Sequence, residues 1–188
     1  DIILSGGAIS NDANHISGPS RTGDGLYLAI RQAMEEAAVL AEDVSFMNTH
    51  GTATVYNDEM ESKAIHLAGL ETVPVHSLKS YFGHTLGASG VIESIICIHE
   101  LKENVLFGTL GYEKPGVSMP ILVQADHQEI PMKHCIKTAS GFGGCNAAIV
   151  LTLPAYQKQP SSVQSPVTVH TTATVSIEYL SLIHISEP

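Results

Sequence analysis

Three short apolar runs in this chain each end in a loop of glycine, small hydroxyl residues and a histidine or asparagine, and that repetition constrains the fold more than any other feature. The runs 44–47, 73–78 and 135–139 lead into Asn48-Thr49-His50-Gly51-Thr52-Ala53-Thr54, into Lys79-Ser80-Tyr81-Phe82-Gly83-His84-Thr85-Leu86-Gly87-Ala88-Ser89-Gly90, and into Ser140-Gly141-Phe142-Gly143-Gly144-Cys145-Asn146. Apolar runs of this length, bounded by glycine and polar clusters, predict strands. Chemistry concentrates at such strand ends, because a loop presents side chains that a rigid scaffold holds in place.

Helical spacing fills the intervals. Leu26, Ile30, Ala33, Met34, Ala37 and Ala38 fall on one face over 23–40, with Arg31, Glu35 and Glu36 opposite, which predicts an amphipathic helix. Further helices are expected over 58–70 and 87–104, an opening strand at 2–4, and late strands at 121–124 and 146–153 beside 135–139. Helix and strand alternating early, with strands gathered late, predict an α/β sheet.

Composition removes several classes of function. The formal net charge is −10 with only nine Lys and Arg among 188 residues, so neither nucleic acid nor an anionic membrane surface is an expected partner. The longest apolar run, near 91–98, is interrupted by Glu93 and is too short to span a bilayer. Three cysteines, Cys97, Cys135 and Cys145, lack the spacing of a metal knuckle or a disulfide scaffold, which favours a reducing, cytoplasmic setting. His50, His66, His76 and His84 match no standard zinc spacing, and no His-Glu-x-x-His helix occurs, so no metal is expected. Gly141 to Gly144 lacks the third glycine of a dinucleotide fingerprint, and the 83–87 glycines are wrongly spaced for a phosphate loop.

The chain opens at Asp1 directly on a strand, as expected of the latter part of a longer protein. Past Pro154 the composition turns to Gln, Ser, Pro, Thr and Val, which places a domain boundary after residue 153. Residues 154–179 read as a linker and the start of a further module, with period-two alternation from Val167 to Ile177. Residues 180–188 resemble one translated frame of a transposase adapter from sequencing libraries and are set aside.

Taken in order, His-Gly-Thr-x-Thr, Lys-Ser-x-x-Gly-His-x-x-Gly-Ala-x-Gly and Gly-Phe-Gly-Gly-x-Asn resemble the elongating β-ketoacyl carrier-protein synthases of type II fatty-acid and polyketide systems, over residues 1–153. Asp12-Ala13-Asn14-His15, Pro19 and the Gly23-x-Gly25 helix start fit the same family. The resemblance implies the C-terminal half of a thiolase-like fold, layered αβαβα and dimeric as a homodimer or heterodimer. It implies a decarboxylative condensation of a malonyl thioester with an acyl thioester. Both substrates ride on the phosphopantetheine of an acyl carrier protein, and no cofactor of the enzyme's own is expected.

Residue by residue, the resemblance makes His50 and His84 the two catalytic histidines and Lys79 the supporting lysine. Glu61, with Asp58, is then the expected acidic partner of Lys79. Phe142, followed by Gly143, is expected at the oxyanion hole and acyl gate, with the neighbouring glycines permitting a tight turn. Thr52, Thr54 and Ser17 are expected to contact phosphopantetheine. Ser140 stands where fatty-acid members carry a second Phe, so chain-length preference does not transfer. Lys137 stands where some members place a small residue near a proposed cation site, with Asn48 and Glu93 close in pattern. Cys145 replaces a usual Thr and is expected to be a small packed side chain.

No cysteine falls in the family's nucleophile motif. The acyl-accepting cysteine, much of the dimer contact and the basic carrier-docking patch are therefore expected elsewhere in the full enzyme. The segment alone is expected to expose apolar surface and to be inactive. The competing reading is a chain-length-factor-like partner subunit, against which the retained histidines and Lys79 weigh. Thiolase and chalcone-synthase relatives share the fold but not this trio of loops.

Overall fold

A computed structural model describes residues 1–158. Its main sheet has five strands: β1 (Ile3–Asn11), β2 (Val44–Asn48), β3 (Val75–His76), β6 (His134–Gly141) and β7 (Cys145–Thr152), in the order β1-β7-β6-β2-β3. β7 runs antiparallel to both β1 and β6, whereas β6, β2 and β3 are mutually parallel neighbours. The helices are α1 (Asp24–Ala37), α2 (Val55–Leu67), the short α3 (Lys79–Phe82) and α4 (Ser89–Glu103). A small ribbon, β4 (Val105–Leu106) against β5 (Gln128–Glu129), follows α4.

Period-two alternation sorts strand side chains between two layers. Ile136, Ala148 and Val150 point to the face covered by α1 and α2, where they meet Leu26, Ile30, Ala33, Met60, Ala64 and Ile65. Cys135 and Leu151 point to the other face, where α4 contributes Cys97 and Leu101. In β2, Val44 and Met47 belong to the first layer and Phe46 to the second. The odd spacing between Val44 and Met47 is absorbed by a register shift between Val44 and Phe46. The described region is thus three layers, helices on sheet on helix.

Glycine explains one close approach. A Cβ on Gly6 of β1 would lie 2.2 Å from the Ala33 carbonyl oxygen, so the α1 backbone can lie directly on β1 only because that side chain is missing.

The three layers match the expected α/β class, with four differences of detail. β1 reaches Asn11 rather than residue 4, because β7 pairs with it along its whole length. The run 73–78 yields only the two residues of β3. Residues 121–124 form no strand; they make a single parallel bridge, Val75 to Val123, flanked by Val75 N–H to Leu122 O and Gln124 N–H to Val75 O. Pairing decides strand identity here, not apolar content. The fourth difference is α3 with the β4–β5 ribbon, each too short to leave a periodic signal. Among the described residues no helix is long and apolar enough to cross a membrane. The linker reading beyond residue 158, the alternation over 167–177 and the adapter-like end fall outside the described residues.

Candidate active site

The C-terminal ends of β2 and β3 bring the first two loops together. His50 follows β2 by two residues and is buried, while His84 follows α3 and is exposed. Their rings meet edge to face, 5.1 Å between centroids at 79°.

The His50 loop is held from below. Glu61, 3 % exposed on α2, accepts the backbone N–H of His50 and of Gly51, each at 2.7 Å, and Asn57 Nδ2 at 2.8 Å. Gly51 has φ +47°, and a Cβ there would sit 2.5 Å from Ser77 Cβ, so this turn requires glycine. Ser77 Oγ completes the tie by donating to Gly51 O at 2.7 Å. Burial pushes the Glu61 carboxyl up from its ordinary range, against the two N–H groups that favour its ionised form.

The expected pairing of Lys79 with Glu61 is corrected by this geometry. Lys79 Nζ donates to the His50 carbonyl and to Glu93 Oε1, the latter at 2.7 Å. Glu93, fully buried on α4, also meets Lys137 Nζ through Oε2 at 2.6 Å. The physical reason is placement: Glu61 spends its oxygens on the loop's main chain, while α4 delivers Glu93 from the opposite layer. Asp58 is likewise not a lysine partner. It lies under the Thr52–Thr54 turn, whose N–H groups favour its ionised form but do not outweigh the burial that raises its pKa.

Burial, with Lys79, Lys137 and His84 close by, lowers the His50 pKa to about 3, so this imidazole is neutral at physiological pH. His84 is lowered too, by burial and by Lys79, against an opposing pull from Glu93. His84 Nδ1 accepts Leu86 N–H at 3.0 Å and lies 3.1 Å from Ser89 Oγ. An acceptor at Nδ1 places the proton of the neutral ring on Nε2. Two neutral imidazoles side by side can donate hydrogen bonds to one oxygen; His50 is too weak a base to serve as a protonated acid.

The third loop approaches from β6 and β7. Phe142 is 69 % exposed at its tip. Gly143 N–H donates to Ile16 O at 2.6 Å, and its φ of +80° makes the turn that follows Phe142. The same bond lays the segment carrying Ser17 against the Phe142 turn, and Ser17 is exposed. Asp12 ties the two further, accepting Asn146 Nδ2 at 2.8 Å and giving its own N–H to Gly144 O at 2.8 Å. Thr52 and Thr54 bond each other through their hydroxyls at 2.8 Å, beside the His50 loop. Cys145 is exposed rather than packed, because the turn at the head of β7 points it outward.

Of the histidines considered as metal ligands, His50 and His84 adjoin each other, while His66 contacts the Pro120 carbonyl and His76 lies in the α4 layer. Among the described residues, the group with ligand atoms close enough for a metal is His76, Cys97 and Glu100, all buried, with those atoms within 4.8 Å of one another. His76 Nε2 lies 3.4 Å from Glu100 Oε2. Burial opposes charging of His76, but Cys97 and Glu100 outweigh it and raise its pKa to about 9, so the group reads as a buried imidazolium–carboxylate pair.

Glu93 and Lys137 are the residues that sequence reasoning undervalued. Their signal was present: Glu93 is the lone acid in an apolar run, and Lys137 interrupts an otherwise apolar strand. A charge in such a position asks for a buried partner.

Comparison with known proteins agrees with this geometry. The profile "Beta-ketoacyl synthase, C-terminal domain" matches residues 2–113. A 3-oxoacyl-[acyl-carrier-protein] synthase 2 of Vibrio harveyi is 36% identical over 152 residues, 78% of this chain and 37% of the relative. A ketosynthase in complex with its chain length factor from Xenorhabdus doucetiae superposes with a TM-score of 0.76 at 31% identity, over 81% of this chain and 39% of that one. A type II PKS acyl-carrier protein complex with its ketosynthase bound to the hexaketide gives 0.73 at 30% identity, over 79% and 38%. The chain therefore spans well under half the length of these relatives, and within that span it is mixed α/β of the thiolase-like ketosynthase type. The histidine pair, the glycine loops and the matched profile lead to one conclusion: this chain belongs to the β-ketoacyl synthase family, in the region of its C-terminal domain.

Proposed function

We propose that this chain supplies the decarboxylating side of a condensing enzyme of fatty-acid or polyketide synthesis. The malonyl thioester loses CO2, the electron pair of the broken C–C bond passes into an enolate, and the enolate carbon attacks an acyl thioester held elsewhere in the enzyme, forming the new C–C bond as the acyl C–S bond breaks and its sulfur leaves as thiolate. Negative charge grows on the malonyl thioester oxygen during the first step. Donors aimed at that oxygen lower the barrier only as far as they bind the enolate better than the ground state. The observation carrying this reading is the pair His50 and His84, 5.1 Å apart and both biased toward the neutral, donating form.

Lys79 acts as a positioning group in this reading. Its ammonium grips the His50 carbonyl and Glu93, fixing the loop that carries the imidazole. Thr52, Thr54 and Ser17 suit the phosphopantetheine arm by their hydroxyls, and Phe142 suits an acyl gate by its exposure. Cys97 and Cys135 are enclosed in the core, and Cys145, though exposed, belongs to the glycine turn rather than to the family's nucleophile motif, so the acyl-accepting cysteine is assigned to the rest of the enzyme and the segment alone to inactivity. The partners are an acyl carrier protein and a second ketosynthase-type subunit, the setting is the cytoplasm, and no cofactor of its own is required. Retention of the two histidines with Lys79 and Glu93 favours a catalytic subunit over a chain-length-factor-like one.

The test is CO2 release from malonyl-carrier protein by the full-length enzyme bearing this segment. Removing one oxyanion donor by His50→Ala or His84→Ala is expected to cost about a hundredfold or more. Full activity in both variants would contradict the assignment.

A further inference from the structure

Lys137 is a buried charge to which the chemistry above gives no role. It sits on β6 in register with Asn48 of β2, two residues before His50, and is 3 % exposed. Its Nζ lies 2.6 Å from Glu93 Oε2 and donates to the Thr138 carbonyl. Glu93 is therefore shared: Lys79 holds one carboxylate oxygen and Lys137 the other.

The Lys79–Glu93 pair by itself already balances charge. A second buried ammonium carries the desolvation cost of any buried ion, which a purely structural position would avoid with an apolar residue. Two effects of Lys137 offset that cost in the site's favour. With an ammonium within ion-pair distance of each oxygen, the carboxylate is held beside Lys79, which in turn bonds the His50 carbonyl. The surplus positive charge also lies close enough to the His50 imidazole to oppose its protonation.

We propose that Lys137 is a positioning residue for decarboxylation: through Glu93 it locks Lys79 onto the His50 loop, and its charge backs the His50 imidazole. This rests on the reading of His50 and His84 as oxyanion donors. The charged and titratable groups facing His50 are Lys79 from α3, Lys137 from β6, His84 from the following loop and Glu61 from α2, with Glu93 of α4 between the two lysines. Losing the Lys137 charge leaves His50 easier to protonate. The low value of about 3 then moves upward.

The experiment uses the full-length enzyme with Lys137→Gln, which keeps a hydrogen-bond donor without the charge, and Lys137→Arg, which keeps the charge. In Lys137→Gln, the kcat for CO2 release from malonyl-carrier protein is expected to fall about tenfold or more, as displacement of a positioned group does, with KM little changed. The His50 titration, followed by NMR on histidine-labelled enzyme, is expected to rise, and Lys137→Arg to restore both. Should Lys137→Gln not fold, Lys137→Met carries the same expectation without a buried amide to satisfy. An unmoved His50 titration with unchanged kcat overturns the role of Lys137. Wild-type enzyme unable to decarboxylate malonyl thioesters overturns the proposed function instead, so the two failures are distinct.

Discussion

The two faces of the sheet are built on opposite principles. Under α1 and α2 the packing is apolar apart from Ser62 and from Glu61, whose oxygens take main-chain N–H groups of the His50 loop, with Leu26, Ile30, Ala33, Met60 and Ile65 closed over Met47, Ile136 and Val150. Under α4 the helix carries two fully enclosed carboxylates, Glu93 and Glu100, on one side and two turns apart, each meeting buried cations. Glu93 holds Lys79 and Lys137 beside the histidines; Glu100 holds His76 deeper in the layer. Burying charge is costly on either count, so the α4 face trades stability for a fixed electrostatic layout, and the α1–α2 face supplies the burial that makes the trade tolerable.

Breaking that comparison gives its largest effect at Glu93. Glu93→Ala strands two ammonium groups in the α4 layer, and a loss of about 3–5 kcal/mol is expected in urea denaturation of the full-length enzyme. On the other face, Ile30→Ala or Ile65→Ala is expected to cost about 2–5 kcal/mol by leaving a cavity. The contrast appears in activity: the folded fraction of either α-face variant should turn over at the wild-type rate.

The Glu100 pair sharpens the contrast through pH. His76 is raised from its ordinary value to about 9 in the folded protein, so folding binds a proton more tightly than the unfolded chain does. Its contribution is full below the unfolded imidazole pKa, about 6.5, and is lost as pH rises through about 9. The denaturation midpoint of His76→Gln should therefore fall less than that of wild type over this range. An identical pH slope in both proteins would remove the pair from the account. The smallest effect is expected at Phe142: exposed on its turn, Phe142→Ala should change stability by no more than about 0.5 kcal/mol while altering acyl-chain preference.

The apolar face was legible in the sequence, because helix period and strand alternation report burial directly: the α1 stripe from Leu26 to Ala37 is the one the sheet covers. The three loops were legible too, since glycine and histidine at strand ends are a local signal. The α4 face was not. Glu61 stands eleven positions after His50 and looked like the partner of Lys79, whereas the actual partner, Glu93, comes from α4 on the other face of the sheet from Glu61, a pairing that no local period encodes. Residues 121–124 misled for the converse reason, having strand composition but only one bridge partner. Cys145 misled because its motif fixes the turn without saying which way its side chain faces.

The most direct test sets the two carboxylates of α4 against each other. CO2 release from malonyl-carrier protein is measured for Glu93→Gln and Glu100→Gln in the full-length enzyme, per folded molecule. A loss of about a hundredfold is expected for Glu93→Gln, as displacement of the loop that positions His50 would cause, and a rate close to wild type for Glu100→Gln. Equal losses in the two variants, or a near wild-type rate in Glu93→Gln, would contradict this expectation.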